Sequence, residues 1–374
     1  MPHHHLRIVG VKLHLKPVVV WNCTQRCNLF CSHCYSASDK AKGKAELTTD
    51  EARRLIEDVA SFGAPVLLFS GGEPLMRLDI LELIDFGHKC GIRTVLSTNG
   101  TMIDKKTADE LARLGLGYAG ISLDAADPAV NDRFRGRKGA FEKAMNGIRN
   151  CMAAGVKTGI RFTMTRKNIS QLDAIFDMVK TEGIPRICFY HLVPAGRGSQ
   201  LEDLMVSPAE TRNAVNLIIE RSQNLQAEGY LVEVLTVDNH ADGPLLYMKM
   251  HQKNPERARD VARLLESSGG NRSGESIACV SWDGRVYPDQ FWRNRQVGDV
   301  RKRPFSETWS NPDQPFLNKL RERKKHLDCR CSKCRFLQMC NGNLRARAEA
   351  AGNGMWGDDP GCYLSDDEIS GEVE

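Results

Sequence analysis

An α/β protein built on a parallel sheet, followed by a smaller cysteine-bearing region, is predicted for this 374-residue chain. Two observations predict the sheet: apolar runs of strand length alternate with amphipathic runs of helix length from Val18 to Val193, and glycines stand at the helix ends. Strand and helix repeated in this way imply parallel pairing by right-handed crossovers. A third observation predicts the second region, because nine of the 13 cysteines cluster at two places, one near each end of the chain.

The elements follow in order. Val18 to Trp21, after Pro17, is the first strand. Thr48-Thr49-Asp50-Glu51 supplies cap-type residues, and Ala52, Leu55, Ile56, Val59 and Phe62 recur at helical spacing up to Gly63. Ala64 to Ser70 reads as a buried strand. Then come helix Leu78 to Cys90, strand Arg93 to Ser97, helix Lys105 to Leu114 and strand Tyr118 to Leu123. Helix Ala140 to Ala154, strand Lys157 to Thr165, helix Gln171 to Glu182 and strand Arg186 to Val193 complete six strands. Ser207-Pro208-Ala209-Glu210 caps another helix reaching Glu228, and Val232 to Val237 is a further strand candidate. From Asp238 to Glu275 the periodicity degrades, with Gly269, Gly270, Asn271 and Gly274 marking loop. The expected division is therefore an N-terminal extension (1–16), an α/β domain (17–240), a linker (241–275) and a C-terminal domain (276–374).

The net charge of +5 is too small an excess to imply nucleic acid. From Arg285 to Arg347 there are 16 basic and 6 acidic residues, either a solvated face or a receiver for an acidic substrate, whereas the stretch from Glu349 onward has 8 acidic residues and no basic one. Apolar runs fall short of the roughly 20 residues that span a bilayer, and the N-terminus lacks a signal-peptide apolar region, so a cytoplasmic protein without a membrane partner is expected. Clustered cysteines in a chain of this length fit metal ligation better than a disulfide framework. His3-His4-His5 receives no role.

The stretch richest in chemistry is Cys27-Asn28-Leu29-Phe30-Cys31-Ser32-His33-Cys34-Tyr35. A 4Fe-4S cube normally takes four thiolates, so a loop offering three leaves one iron open to another ligand. The same spacing also suits a zinc knuckle with His33 or Cys23 as fourth ligand. Further on, a strand ends in Ser70-Gly71-Gly72-Glu73-Pro74.

Together these two motifs resemble the radical S-adenosylmethionine (SAM) superfamily. The resemblance implies an open six-stranded (β/α) barrel, three-quarters of a closed eight-stranded one, with its site at the carboxyl ends of the strands. It implies a SAM-binding 4Fe-4S cluster on Cys27, Cys31 and Cys34, and reductive cleavage of SAM to a 5′-deoxyadenosyl radical. It carries the SAM amine onto Gly71, Gly72 and Glu73, ribose-side contacts onto Asn99 and Ser122, with Ser97 beside them, and the SAM carboxylate onto Arg161. Read without the resemblance, Gly71-Gly72 is equally a tight β-to-α turn, and the polar strand ends are equally turn and salt-bridge residues. Gly196-Arg197-Gly198 either cradles adenine or substrate or is a plain turn.

The second constellation is Cys331, Cys334, Cys340 and Cys362. Four thiols with two close spacings suit structural zinc, but their setting resembles the SPASM domain, a C-terminal auxiliary-cluster domain of many radical SAM enzymes. That pattern normally has more cysteines; here Asp289 and Leu344 stand at two expected cysteine positions, leaving Cys279 unpaired. The departure implies one auxiliary 4Fe-4S cluster, hence two clusters in all, with Cys329 as a spare thiol. Cys90, Cys151 and Cys188 read as core residues.

Phe189-Tyr190-His191-Leu192, Asp238-Asn239-His240-Ala241-Asp242-Gly243, Val280-Ser281-Trp282-Asp283-Gly284 and Asp358-Asp359-Pro360-Gly361-Cys362-Tyr363-Leu364 resemble the branch acting on siroheme-derived tetrapyrroles. The expected reaction is removal of acetate side chains from didecarboxysiroheme to give Fe-coproporphyrin III, with propionate removal in haem d1 biosynthesis as the alternative. His191 and His240 are candidate axial ligands of an iron tetrapyrrole, each also readable as a core or capping histidine. Arg293 and Arg295, beside Phe291 and Trp292, are candidates for its carboxylates and ring face, against a solvated loop with core aromatics. The resemblance also implies a low-potential electron donor such as ferredoxin or flavodoxin. A SPASM-type peptide maturase would bring a winged helix, for which the residues before Pro17 leave no room, and a non-enzymatic electron-transfer protein has no use for the open iron.

Overall fold

The computed structural model describes residues 16–40, 45–200 and 204–371; the expected N-terminal extension as far as residue 15, His3 to His5 included, lies outside the described residues. The strands are β1 (Val18–Thr24), β2 (Val66–Gly71), β3 (Arg93–Thr98), β4 (Ala119–Ser122), β5 (Thr158–Met164), β6 (Arg186–His191), β7 (Glu233–Val237), β8 (Ile277–Val280), β9 (Arg285–Tyr287) and β10 (Gly298–Asp299). They form one sheet in the order β10-β9-β8-β1-β2-β3-β4-β5-β6-β7. Strands β1 to β6 are consecutive parallel neighbours, as the crossover argument requires, and β7 extends the row beside β6.

The connecting helices are α1 (Thr49–Ser61), α2 (Ile80–Lys89), α3 (Lys105–Arg113), α4 (Pro128–Arg135), α5 (Ala140–Ala153), α6 (Leu172–Glu182) and α7 (Pro208–Ala227). Capping boxes start two of them where the sequence places them. Thr48 accepts from Glu51 N–H while Glu51 accepts from Thr48 N–H, and Ser207 and Glu210 do the same for α7. Such a cap stabilises a helix start by about 1 kcal/mol. Helix α4 is not anticipated by the periodicity, being only eight residues long. Its punctuation is legible all the same: Asp127 caps it, Pro128 opens it, and Gly136 ends it at φ +68°.

Two expectations are corrected. The stretch 241–275, read as loop, holds a helical hairpin, α8 (Asp242–Lys253) and α9 (Pro255–Ser268). Its apolar residues, Leu245, Tyr247 and Ala258 among them, pack into a small separate core with Phe336 and Tyr363, and Asn254-Pro255 and Gly269 are readable start and stop signals. The sheet also does not end with the first domain: β8 pairs in parallel with β1, and β9 and β10 continue from it. Strands of two to four residues are too short for a period-2 pattern to register. The chain closes with α10 (Phe305–Ser310), α11 (Pro315–Arg321), α12 (Leu337–Cys340), α13 (Arg345–Ala350) and α14 (Asp366–Ile369).

Alternation along the strands sorts the core from the site. Val19 and Trp21, Leu67 and Phe69, Leu96, Ile121, Ile160 and Phe162 point to the helix-covered side and are fully buried. Their neighbours Val20, Leu68 and Ser70, Ser97, Ser122, Arg161 and Thr163 point to the other side and line a cavity. The polar residues that interrupt the apolar runs are therefore those on the cavity face.

Candidate active site

Cys27, Cys31 and Cys34 line one side of this cavity. The loop bearing them leaves β1 and is held from three sides. Gly71 and Gly72 lie against it from β2: a Cβ on Gly71 would sit 2.6 Å from the Thr24 carbonyl oxygen, and one on Gly72 would sit 2.1 Å from that of Arg26. The glycine pair thus admits the backbone leading into the cysteine loop. From the α4 side, Phe30 N–H donates to Arg135 O and Ser32 N–H to Phe134 O, while His33 stacks on Phe134 at 4.5 Å. After β6, Arg197 Nε donates to Cys31 O (3.0 Å) and its Nη1 to Ser38 O (2.7 Å). The turn read as a cradle or plain turn, Gly196-Arg197-Gly198, is therefore a clamp on the cysteine loop.

Burial pushes the Cys27 thiol up to about 12 and raises Cys31 as well, with Arg135 opposing the shift at Cys31. Arg135 Nη1 lies 3.7 Å from Cys31 Sγ, and its Nη2 pairs with buried Asp124 at 2.5 Å. Backbone N–H of Leu29 reaches Cys27 Sγ at 3.5 Å. Three soft donors beside a cation, with N–H groups aimed at sulfur, fit an iron-sulfur cluster, whose metal charge removes the thiol protons that burial retains. The fourth ligands of the zinc alternative do not fit. Cys23 points into the helix-side core and donates to Ser70 O, and His33, with its side chain 12% exposed and pushed down to about 4 by desolvation, is held between Phe134 and Asp124. Among the described residues, the set with ligand atoms all within 4.8 Å, as a single ion needs, is Cys329, Cys331 and Asp358, not the loop triplet.

The cavity gathers most of the other expected residues: Gly71, Gly72, Ser97, Asn99, Ser122, Arg161 and His191 all line it. Arg161 lies over the Tyr190 ring at 4.5 Å and has no ion-pair partner among the described residues, so its guanidinium is available to a carboxylate. Asn99 is partly committed, its amide donating to Asn28 Oδ1 (2.7 Å). Glu73 does not line the cavity. Fully buried, its carboxylate accepts from Thr98 Oγ1, Asn99 N–H and Leu75 N–H, tying the end of β2 to that of β3, so a contact with SAM is replaced by a structural one.

His191 faces the cavity with Nε2 held by Asp242 Oδ2 at 2.8 Å. His240 is elsewhere; it lies under the C-terminal segment, its backbone N–H donating to Asn343 Oδ1, with burial driving its pKa down to about 4. Of the aromatic pair, Phe291 lines the cavity and meets Tyr35 edge-on at 5.7 Å. Trp292 is core, its Nε1 donating to Glu349. Neither arginine lines the cavity: Arg295 is paired with Glu349, and Arg293 stacks on Trp282 at 4.2 Å and reaches Ser281. Much of the basic excess is likewise internal, because Arg323 and Arg345 bind backbone carbonyls and Arg347 pairs with buried Asp359. Composition cannot tell such arginines from surface ones.

Sequence reasoning gave no individual role to three residues of consequence. Arg135 is legible only as part of Arg133-Phe134-Arg135-Gly136, an undistinguished helix end. Tyr190 and Asp238 line the cavity as well. Asp238, at φ +70°, is raised to about 7 by burial, opposed chiefly by Arg347.

In the C-terminal region, Cys340 is raised by burial and by nearby Cys362, with Cys334 adding to both, and Cys331 is raised by Cys329 and burial with Cys340 adding. The four expected thiols thus share one neighbourhood. Where two more thiols would stand, Asp289 caps Phe291 and Trp292 N–H, and Leu344 packs with Trp292 and Leu320. A hydrogen-bonded path leads from cavity to cluster site: His191 to Asp242, and Tyr363 Oη to Asp242 Oδ1 (2.6 Å), with Tyr363 adjoining Cys362.

The radical SAM superfamily model matches residues 21–179, and an iron-sulfur cluster-binding domain model, SPASM, matches residues 272–335. Fe-coproporphyrin III synthase of Methanosarcina barkeri is 51% identical over 373 residues, 99% of this chain and 92% of that protein. Pre-heme d1 synthase of Dinoroseobacter shibae is 41% identical over 354 residues, 94% of this chain and 87% of that protein. The fold matches Streptococcus suis SuiB bound to S-adenosylmethionine with a TM-score of 0.73 at 17% identity, covering 94% of this chain and 78% of that one.

Proposed function

The chain belongs to the radical SAM superfamily, and from that premise we propose that it removes the acetate side chains of didecarboxysiroheme to give Fe-coproporphyrin III. As a member it is an enzyme whose cofactors are SAM, a 4Fe-4S cluster and an auxiliary iron-sulfur cluster. The observation that carries the substrate reading is the 51% identity to Fe-coproporphyrin III synthase, sustained over 99% of the chain.

In this reading Cys27, Cys31 and Cys34 hold the SAM-binding cluster, and Cys331, Cys334, Cys340 and Cys362 hold the auxiliary one. When bound, the first cluster and SAM supply a 5′-deoxyadenosyl radical able to take hydrogen from unactivated carbon. The chain's own residues bind, orient and shield. Arg161 pairs with the SAM carboxylate, while Ser97, Ser122 and Asn99 face its ribose. Phe291 and Tyr35 close one side of the cavity against water and offer an apolar edge to a flat macrocycle. His191, fixed by Asp242, stands where the substrate meets the path to Cys362. The partners of this reading are the iron tetrapyrrole and a low-potential donor of the ferredoxin or flavodoxin class. A cytoplasmic location accompanies it; among the described residues no helix is long and apolar enough to cross a membrane.

Propionate removal is the second reading, favoured by the 41% identity to pre-heme d1 synthase. Product masses after incubating the reduced protein with SAM and didecarboxysiroheme separate the two. Loss of the acetate units supports the first reading, and loss of the propionates replaces it with the second.

A further inference from the structure

We infer that the outer face of the cysteine loop is the docking site of an acidic one-electron carrier protein. The loop has two faces. Cys27, Cys31 and Cys34 line the cavity, whereas Phe30, adjoining Cys31 in the chain, does not line it and is 58% exposed. Successive Cα atoms are about 3.8 Å apart, so a partner resting on Phe30 lies against the residue that bears a cluster thiol. SAM and substrate occupy the cavity side in the proposed reading, which leaves this outer side for electron entry.

A single exposed aromatic is ordinary on a protein surface; charge selects the occupant. The α4–α5 turn that touches Phe30 carries exposed Arg133, Arg137 and Lys138. It packs closely, since a Cβ on Gly136 would sit 2.4 Å from Phe30 O, and Arg137 Nη1 donates to Asn28 O at 2.8 Å. On the other side, Asn28 Nδ2 donates to Thr101 Oγ1 (2.8 Å), next to exposed Met102, and exposed Lys105 and Lys106 open α3. Carboxylates in these segments are engaged in capping: Asp132 accepts from Gly139 and Phe141 N–H, and Asp104 from Thr107 N–H. An apolar centre bordered by cations fits a carrier with an acidic face around its redox group, and such pairs associate by electrostatic steering.

The inference rests on the cluster assignment and is independent of the tetrapyrrole. It is tested by stopped-flow bleaching of the reconstituted protein by reduced flavodoxin, the acidic probe, with dithionite in parallel. The wild-type flavodoxin rate falls as salt rises. The double variant Arg133→Glu, Lys138→Glu lowers that rate about tenfold at low salt and flattens its salt dependence, with iron content and dithionite rate unchanged. A double reversal on α9, Arg257→Glu, Arg259→Glu, leaves the flavodoxin rate near wild type. An unchanged rate in the first variant, an equal loss in the α9 variant, or a parallel loss with dithionite would each overturn the inference. If the wild-type protein does not bleach with dithionite, the cluster assignment has failed instead.

Discussion

Residues whose side chains face the cavity were legible in the sequence when their chemistry broke a local pattern. Ser97, Ser122 and Arg161 are polar in apolar strands, and period-2 alternation puts them on the cavity face. Arg293 and Arg295 were misplaced because charge density says nothing of direction, and Glu73 because a motif's neighbour need not touch what the motif binds. Asp238 was visible only as part of the motif Asp238 to Gly243, with nothing to single out its carboxyl, since its character comes from burial that the fold creates. Its carboxyl titrates near 7 in the folded chain against about 3.8 when unfolded. Between those values the unfolded state has lost the proton that the native state keeps, so this group costs stability increasingly as pH rises toward 7, and fully above it. Stability is therefore expected to fall from pH 6 to pH 8 in wild type and to change less in Asp238→Asn, a residue that tolerates the positive φ found there. Equilibrium unfolding at the two pH values checks this; identical pH dependence in both proteins would show that Asp238 does not govern it.

At the scale of elements, helix and strand were readable wherever an apolar period lasted long enough, and the six-strand row emerged with its order and direction. Strands β8 to β10 and the α8–α9 hairpin escaped for different reasons: the strands are too short to show a period, and the hairpin packs on a small separate core with Phe336 and Tyr363 rather than on the sheet. The turn after β6 shows a function that only packing reveals. Gly196 adopts φ +57°, and a Cβ there would sit 2.3 Å from Tyr35 O, directly on the cysteine loop. Gly196→Val therefore adds a β-branched strain of about 1–3 kcal/mol and pushes the loop off its clamp. The expected outcome is a folded protein by circular dichroism whose iron falls from about eight to about four per chain, as one of two 4Fe-4S clusters is lost. Full iron content with full SAM cleavage would show that the clamp is dispensable.

Across the whole molecule, the two cysteine regions are not independent modules. The sheet passes from β1 into β8, and the His191–Asp242–Tyr363 path links the cavity to the auxiliary site through elements far apart in the chain. The sequence announced both sets of thiols but not this connection, which depends on where the 238–243 turn and the C-terminal segment meet. The connection makes chemical sense if radical chemistry begun at Cys27, Cys31 and Cys34 acts on a tetrapyrrole lying between the two sites. The most direct test is isotope transfer. Didecarboxysiroheme deuterated at its non-exchanging carbons is incubated with the reduced protein and SAM, and both products are weighed by mass spectrometry. The account predicts deuterium in the 5′-deoxyadenosine together with a tetrapyrrole lighter by its acetate units; 5′-deoxyadenosine free of deuterium beside an unchanged tetrapyrrole would contradict it.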